Sequence, residues 1–163
     1  METGQPQLKL VSTDQELVPV VRTLLITDFV DSTALVERLG DQRSAAIFER
    51  HDAMARDMLE PHHGIEIDKT DGFLFLFHRP VDAVQYALHY HDELRKLSEE
   101  LGFPLKARSA VHLGEVIVRE NPPDHVARGA KPVEVEGLAK PTVARLMSVG
   151  MGGQLLLTEG AAD

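Results

Sequence analysis

Thr23-Leu24-Leu25-Ile26-Thr27-Asp28-Phe29-Val30-Asp31-Ser32-Thr33 opens as an apolar, β-prone run and closes on residues that start helices. The reading is a buried central strand over 21–27, then a helix beginning near Ala34 with N-cap chemistry from Asp31, Ser32 and Thr33. A second stretch, Ile65-Glu66-Ile67-Asp68-Lys69-Thr70-Asp71-Gly72-Phe73-Leu74-Phe75, reads as two strands joined by a tight Thr70-Asp71-Gly72 turn. Each stretch leaves an aspartate at a strand end. Asp28 and Asp71 on neighbouring strands, beside a helix N-terminus, suit a divalent cation and a triphosphate. Taken singly, Asp28 reads more readily as a capping or turn residue, and Asp71 as an ordinary Asp-Gly turn.

Outward from these stretches the pattern predicts further elements. Leu35, Val36 and Leu39 line the first helix, which Gly40 ends, and Asp41 caps a second helix carrying Ile47, Phe48, His51 and Met54 at helical spacing. Pro80 opens a third helix, and residues 105–118 alternate as a long strand interrupted at Gly114. Residues 119–136, with Asn121-Pro122-Pro123, read as an extended arm. A helix over 140–149 and a strand over 154–157 follow. The predicted order is β-α-α-β-β-α-β-(arm)-α-β: an α+β, ferredoxin-like sandwich with an antiparallel-core sheet and helices packed on it. Residues 1–20 read as an arm or linker, and 21–163 as one domain.

Composition narrows the function. With 163 residues, a formal charge of −9 and no cysteine, the chain lacks the basic surface that nucleic-acid binding requires. Thiolate metal sites and disulfides are excluded. No apolar run approaches the roughly 20 residues of a spanning helix, so neither membrane contact nor secretion is expected, and the expected setting is the cytoplasm. A net-negative chain does not steer an anionic nucleotide from afar. Metal ions, backbone amides and individual cations must hold it locally. His62, His63, His89, His91 and His112 form no metal-binding spacing, since His89 and His91 cannot share a helix face.

Four segments, in order, resemble the catalytic domain of the class III nucleotidyl cyclases, the adenylate/guanylate cyclase family. They are 28–33 (Asp-Phe-Val-Asp-Ser-Thr), 70–73 (Thr-Asp-Gly-Phe), 108–116 (Arg-Ser-Ala-Val-His-Leu-Gly-Glu-Val), and 136–147 with 153–158. The resemblance spans about residues 22–160. It implies conversion of a nucleoside triphosphate, ATP by default, to a 3′,5′-cyclic nucleotide and pyrophosphate at a homodimer interface. Asp28 and Asp71 would bind two ions, Mg²⁺ or Mn²⁺, with the Phe29 carbonyl completing a ligand sphere. Amides of Val30, Asp31, Ser32 and Thr33 would cradle phosphates. Arg145 of a partner copy would stabilise developing phosphate charge.

Several positions depart from the family. Its base-reading lysine falls on Ile67, with Lys69 nearby and, by strand parity, on the same face as Ile67 and Asp71. Lys69 either substitutes as donor or is a solvated hairpin residue. The second base-reading position is Glu134, a long acceptor or an exposed arm residue. The ribose-orienting asparagine falls on Pro141, which cannot donate. Asp31 replaces a glycine, and the family's final hairpin, whose lysine contacts phosphates, lies beyond Asp163. Pro141 and that hairpin favour the alternative of an inactive cyclase-like module for dimerisation or nucleotide sensing. A diguanylate cyclase is disfavoured, because its Gly-Gly-Asp/Glu-Glu-Phe turn is absent.

Overall fold

A computed structural model describes residues 17–163; the arm expected over residues 1–20 falls largely on 1–16, outside the described residues. The elements are β1 (Val20–Phe29), α1 (Ser32–Leu39), α2 (Asp41–Asp57), a 3₁₀ turn at Glu60–His62, β2 (Ile65–Lys69), β3 (Phe73–Phe77) and α3 (Pro80–Leu101). They continue with β4 (Ala107–Glu120), α4 (Pro123–Ala127), β5 (Val133–Glu136), α5 (Ala139–Ser148), β6 (Leu155–Leu157) and α6 (Glu159–Ala162). The strands order as β2-β3-β1-β4-β5, with β6 parallel beside β4. Each neighbouring pair in the β2-β3-β1-β4 run is antiparallel, which is the ferredoxin-like arrangement. Among the described residues, no helix is long and apolar enough to cross a membrane.

Both sheet faces are covered, so β3 carries an unbroken apolar run and all five of its residues are buried. Phe73, Phe75 and Phe77 pack with Leu25, Tyr86 and Tyr90 on the side of α2 and α3. Leu74 and Leu76 join Leu24, Ile67, Val116 and Val143 on the side of α5. Truncating a fully buried phenylalanine such as Phe75 to alanine would cost about 3–5 kcal/mol. The 22-residue α3 begins with Pro80 in its first turn and ends at Gly102, whose φ of 67° is left-handed. Phe103 N–H closes that end on the Ser98 carbonyl at 3.2 Å.

Four local expectations are corrected. Asp31 precedes α1 in the left-handed region (φ 59°, ψ 36°) and makes no side-chain cap, so α1 starts at Ser32. Asp41 is the first residue of α2, and Gly40 occupies the cap position. Gly114 does not interrupt β4; it pairs with Arg22, and a Cβ there would sit 2.8 Å from the His112 ring. The 119–136 arm is an antiparallel β4–β5 pair with a helical tip. Arg119 pairs with Glu134 and Glu136 across that pair, and Asn121 Nδ2 donates to the Lys131 carbonyl at 2.7 Å. Proline at the helix start, not in the strands, reconciles the sequence with this structure.

Candidate active site

The hairpin turn is pressed against the end of β1. A Cβ on Gly72 would lie 1.7 Å from the Thr27 carbonyl oxygen and 2.9 Å from the Asp28 Cα. Only glycine allows that approach. Phe73 N–H donates to Thr27 Oγ1 at 3.2 Å, which fixes the turn in place. As a result Asp28 and Asp71 line one cavity of about 490 Å³, shared with Asp68, Lys140, Pro141 and Met147.

Asp28 stands directly opposite Arg108 in the β1–β4 ladder. Arg108 Nη2 donates to Asp28 Oδ2 at 3.2 Å, and Nη1 to the Ser148 carbonyl at 3.4 Å. The Arg108 Nε is buried without a hydrogen-bond partner. Asp28 Oδ2 is thus paired with Arg108, and Oδ1 accepts no hydrogen bond among the described residues.

A second cavity of about 240 Å³ lies across the hairpin turn, walled by Ser32, Thr33, Asp52, Lys69, Thr70 and Asp71. Asp71 is common to both cavities. Ser32 and Thr33 open α1, whose first amides lack partners within the helix. The phosphate cradle expected from Val30 to Thr33 is corrected at its first member. Val30 N–H is committed to the Lys106 carbonyl at 2.9 Å. Val30 and Asp31 instead line a separate cavity with Arg38, Phe103 and Lys106.

Lys69 does not share a face with Ile67. The β2–β3 register shifts between Glu66 and Asp68, a β-bulge that reverses the alternation. Ile67 stays in the α5-side core at 5% exposure, so it offers a base almost no surface. Asp68, opposite Leu74, takes the cavity position instead, and its pairing with Lys131 holds its carboxyl below the usual range. Lys69 projects to the other side. Its Nζ lies 3.2 Å from Asp52 Oδ2 and donates to the Thr70 carbonyl at 3.2 Å.

Behind Asp52 runs a buried network that the sequence did not single out. His51 Nδ1 lies 3.0 Å from Asp52 Oδ1, and His51 Nε2 lies 2.6 Å from the Tyr90 hydroxyl. Burial pushes the His51 pKa down, against the opposing pull of Asp52. The ring is therefore neutral at pH 7: Nδ1–H donates to the acceptor-only carboxylate, and Nε2 accepts from Tyr90. Burial raises the Tyr90 hydroxyl well above its ordinary value, keeping it a donor. In the sequence His51 is one member of an apolar helical stripe, and only its polarity within that stripe signals this role.

The late-chain residues are dispersed. Pro141 lines the first cavity, Glu134 is engaged by Arg119, and the Arg145 side chain is exposed, with no ion pair among the described residues. Among the described residues no group of three or more histidine, aspartate or glutamate side chains is placed to hold a metal. The carboxylates lining the first cavity are those of Asp28, Asp68 and Asp71. Hard divalent cations such as Mg²⁺ prefer that donor chemistry.

No family model matches the sequence, and no curated protein matches it. Solved structures do. The guanylyl cyclase Cya2 superposes with a TM-score of 0.78 at 20% identity, covering 88% of this chain and 77% of that one. The adenylyl cyclase CyaB from P. aeruginosa gives 0.78 at 16% identity, covering 89% and 81%. The guanylate cyclase domain of RhGC from Catenaria anguillulae, in complex with GTP, gives 0.74 at 14% identity, covering 86% and 79%. The sheet order, the hairpin seated on β1 and these superpositions establish that the chain has the α+β fold of class III adenylyl and guanylyl cyclase catalytic domains.

Proposed function

We propose that this domain is a nucleotidyl cyclase, converting a nucleoside triphosphate to a 3′,5′-cyclic nucleotide and pyrophosphate. The observation that carries the reading is the contact of Gly72 with Thr27 and Asp28, which sets Asp28 and Asp71 on the wall of one cavity. Asp28, Asp71 and the Phe29 carbonyl are the residues that would hold two ions, Mg²⁺ or Mn²⁺. Such ions acidify the attacking 3′-hydroxyl and neutralise phosphate charge.

The chain's own groups do the rest. Ser32 and Thr33 present α1 amides to the phosphates. Arg108 holds one Asp28 oxygen and so fixes the carboxylate's orientation. Arg145 is exposed on α5 and unpaired among the described residues, so it is free to reach a phosphate held by a second copy of the chain. This makes the competent unit a two-fold homodimer with two equivalent sites. ATP is the default substrate, and a triphosphate substrate points to the cytoplasm.

One observation favours a second reading, an inactive nucleotide-binding module. Pro141 sits in the cavity wall where the resemblance expects a side-chain donor. Manganese-dependent turnover with each of the four triphosphates separates the two readings. Cyclic product from an equimolar mixture of Asp28→Ala and Arg145→Ala chains, each inactive alone, would support shared sites. No recovery with heterodimers demonstrated would overturn them.

A further inference from the structure

We infer that Lys69 is a phosphate-binding residue of this site, held ready by Asp52, and not a reader of the base. The inference rests on the nucleotide-site reading above and deepens it. The bulge in β2 carries Lys69 away from the cavity that holds Asp68 and Pro141 and into the one walled by Ser32, Thr33 and Asp71. Lys69 is the one basic side chain among the residues lining that cavity, which also holds the Asp52 and Asp71 carboxylates. A polyanion entering there beside the α1 amides meets two acids and a single compensating cation.

The ammonium is prepared for that role. It carries three donors, one of them given to the Thr70 carbonyl, and it is ion-paired with Asp52 at 3.2 Å. The side chain is 34% exposed and lines the cavity, so the ammonium can be reached by a phosphate oxygen. Asp52 is in turn fixed by neutral His51, which Tyr90 anchors in the core. A lysine already confined to one geometry loses little rotamer freedom on binding. Asp52 and His51 are positioning residues here, and Lys69 is the one that touches phosphate.

The test uses inorganic tripolyphosphate with Mn²⁺, which has no base to read. Binding is measured by calorimetry and by the rise in unfolding temperature, with the ligand-free unfolding temperature as the fold control. Lys69→Met should weaken tripolyphosphate binding about tenfold or more, the scale of a lost charge-assisted bond. Lys69→Arg should recover most of it. Asp52→Asn should weaken binding by clearly less than Lys69→Met does, because the Lys69 charge is kept while the partner that positions it is lost. Equal weakening in Lys69→Met and Asp52→Asn would show that the pair only braces the hairpin, and would overturn the assignment. Undiminished binding in Lys69→Met would overturn it as well, leaving the nucleotide site intact. No tripolyphosphate binding by the unsubstituted protein would sink the nucleotide-site reading itself.

Discussion

Asp28 and Arg108 face each other across the β1–β4 ladder, and their side chains meet at 3.2 Å, with Asp28 also lining the cavity of about 490 Å³. The two side chains are 23% and 28% exposed, so water screens the pair only in part. The guanidinium occupies one of the oxygens that a cation would use. It is thus both an orienting partner for Asp28 and a like-charge competitor for an arriving ion.

Opposite effects follow for the two substitutions. Asp28→Asn should lower turnover on the order of 10²-fold or more, the scale of losing a charge that stabilises the transition state. Its unfolding temperature should stay within a few degrees of the parent. Arg108→Met should lower the Mn²⁺ concentration needed for half-maximal activity, since the competing cation is gone. A higher Mn²⁺ requirement in Arg108→Met would show that orientation of Asp28 outweighs competition.

The hairpin gives a second expectation. Gly72→Ala would drive a methyl group into the Thr27 carbonyl. Backbone at a strand end cannot yield as a flexible side chain can, so the turn must move outward. The expected cost is about 1–3 kcal/mol in urea unfolding, as for other overpacked sites. Turnover should fall by more than that stability loss explains, because Asp71 moves with the turn.

Much of this was legible in the sequence, for definable reasons. The alternation Phe73-Leu74-Phe75-Leu76-Phe77 and the glycine after Asp71 both follow from local chemistry, and the hairpin and its neighbours came out where expected. Lys69 was misplaced because strand parity holds only until a bulge, and nothing in Ile65-Glu66-Ile67-Asp68-Lys69 announces one. The bulge shows only once Glu66 is aligned with Phe75 and Asp68 with Leu74. The β4–β5 pair was hidden by its prolines, which sit in the connecting tip. His51 was hidden by its company: a histidine among Ile47, Met54 and Ala55 reads as filler until Tyr90 arrives from another helix.

One buried histidine, His51, and two half-buried ones, His91 and His112, set the expected pH response. Burial alone lowers the pKa of His91, whose Nε2 lies 2.9 Å from Ser109 Oγ, and burial is the leading cause for His51 and His112 too. A depressed folded pKa means the unfolded chain binds more protons as pH falls below the ordinary value of about 6.5. Stability is therefore full above that value and lost progressively below it. Asp68, held low by Lys131, adds its own loss only further down, as pH falls below about 4. Urea unfolding across pH 5 to 7.5 should show stability rising with pH. His91→Gln should flatten that slope, since an amide can bond Ser109 without titrating. An unchanged slope would exclude His91 as a contributor.

The base should be read weakly. The bulge replaces Ile67 with Asp68 at the cavity wall, so the group facing a base there is an acceptor already bound to Lys131. Glu134 is likewise bound to Arg119. Strong discrimination needs polar groups that the wrong base leaves unpaired, and neither of these acids is left unpaired by any base. ATP should be turned over with at least one other triphosphate competing within about two orders of magnitude in kcat/KM. Asp68→Ala and Glu134→Ala should each leave the ratio between those substrates within that margin, since neither acid is free to reject a base. A preference for one triphosphate far beyond that margin, unmoved by either substitution, would show that the base is read by groups outside this cavity.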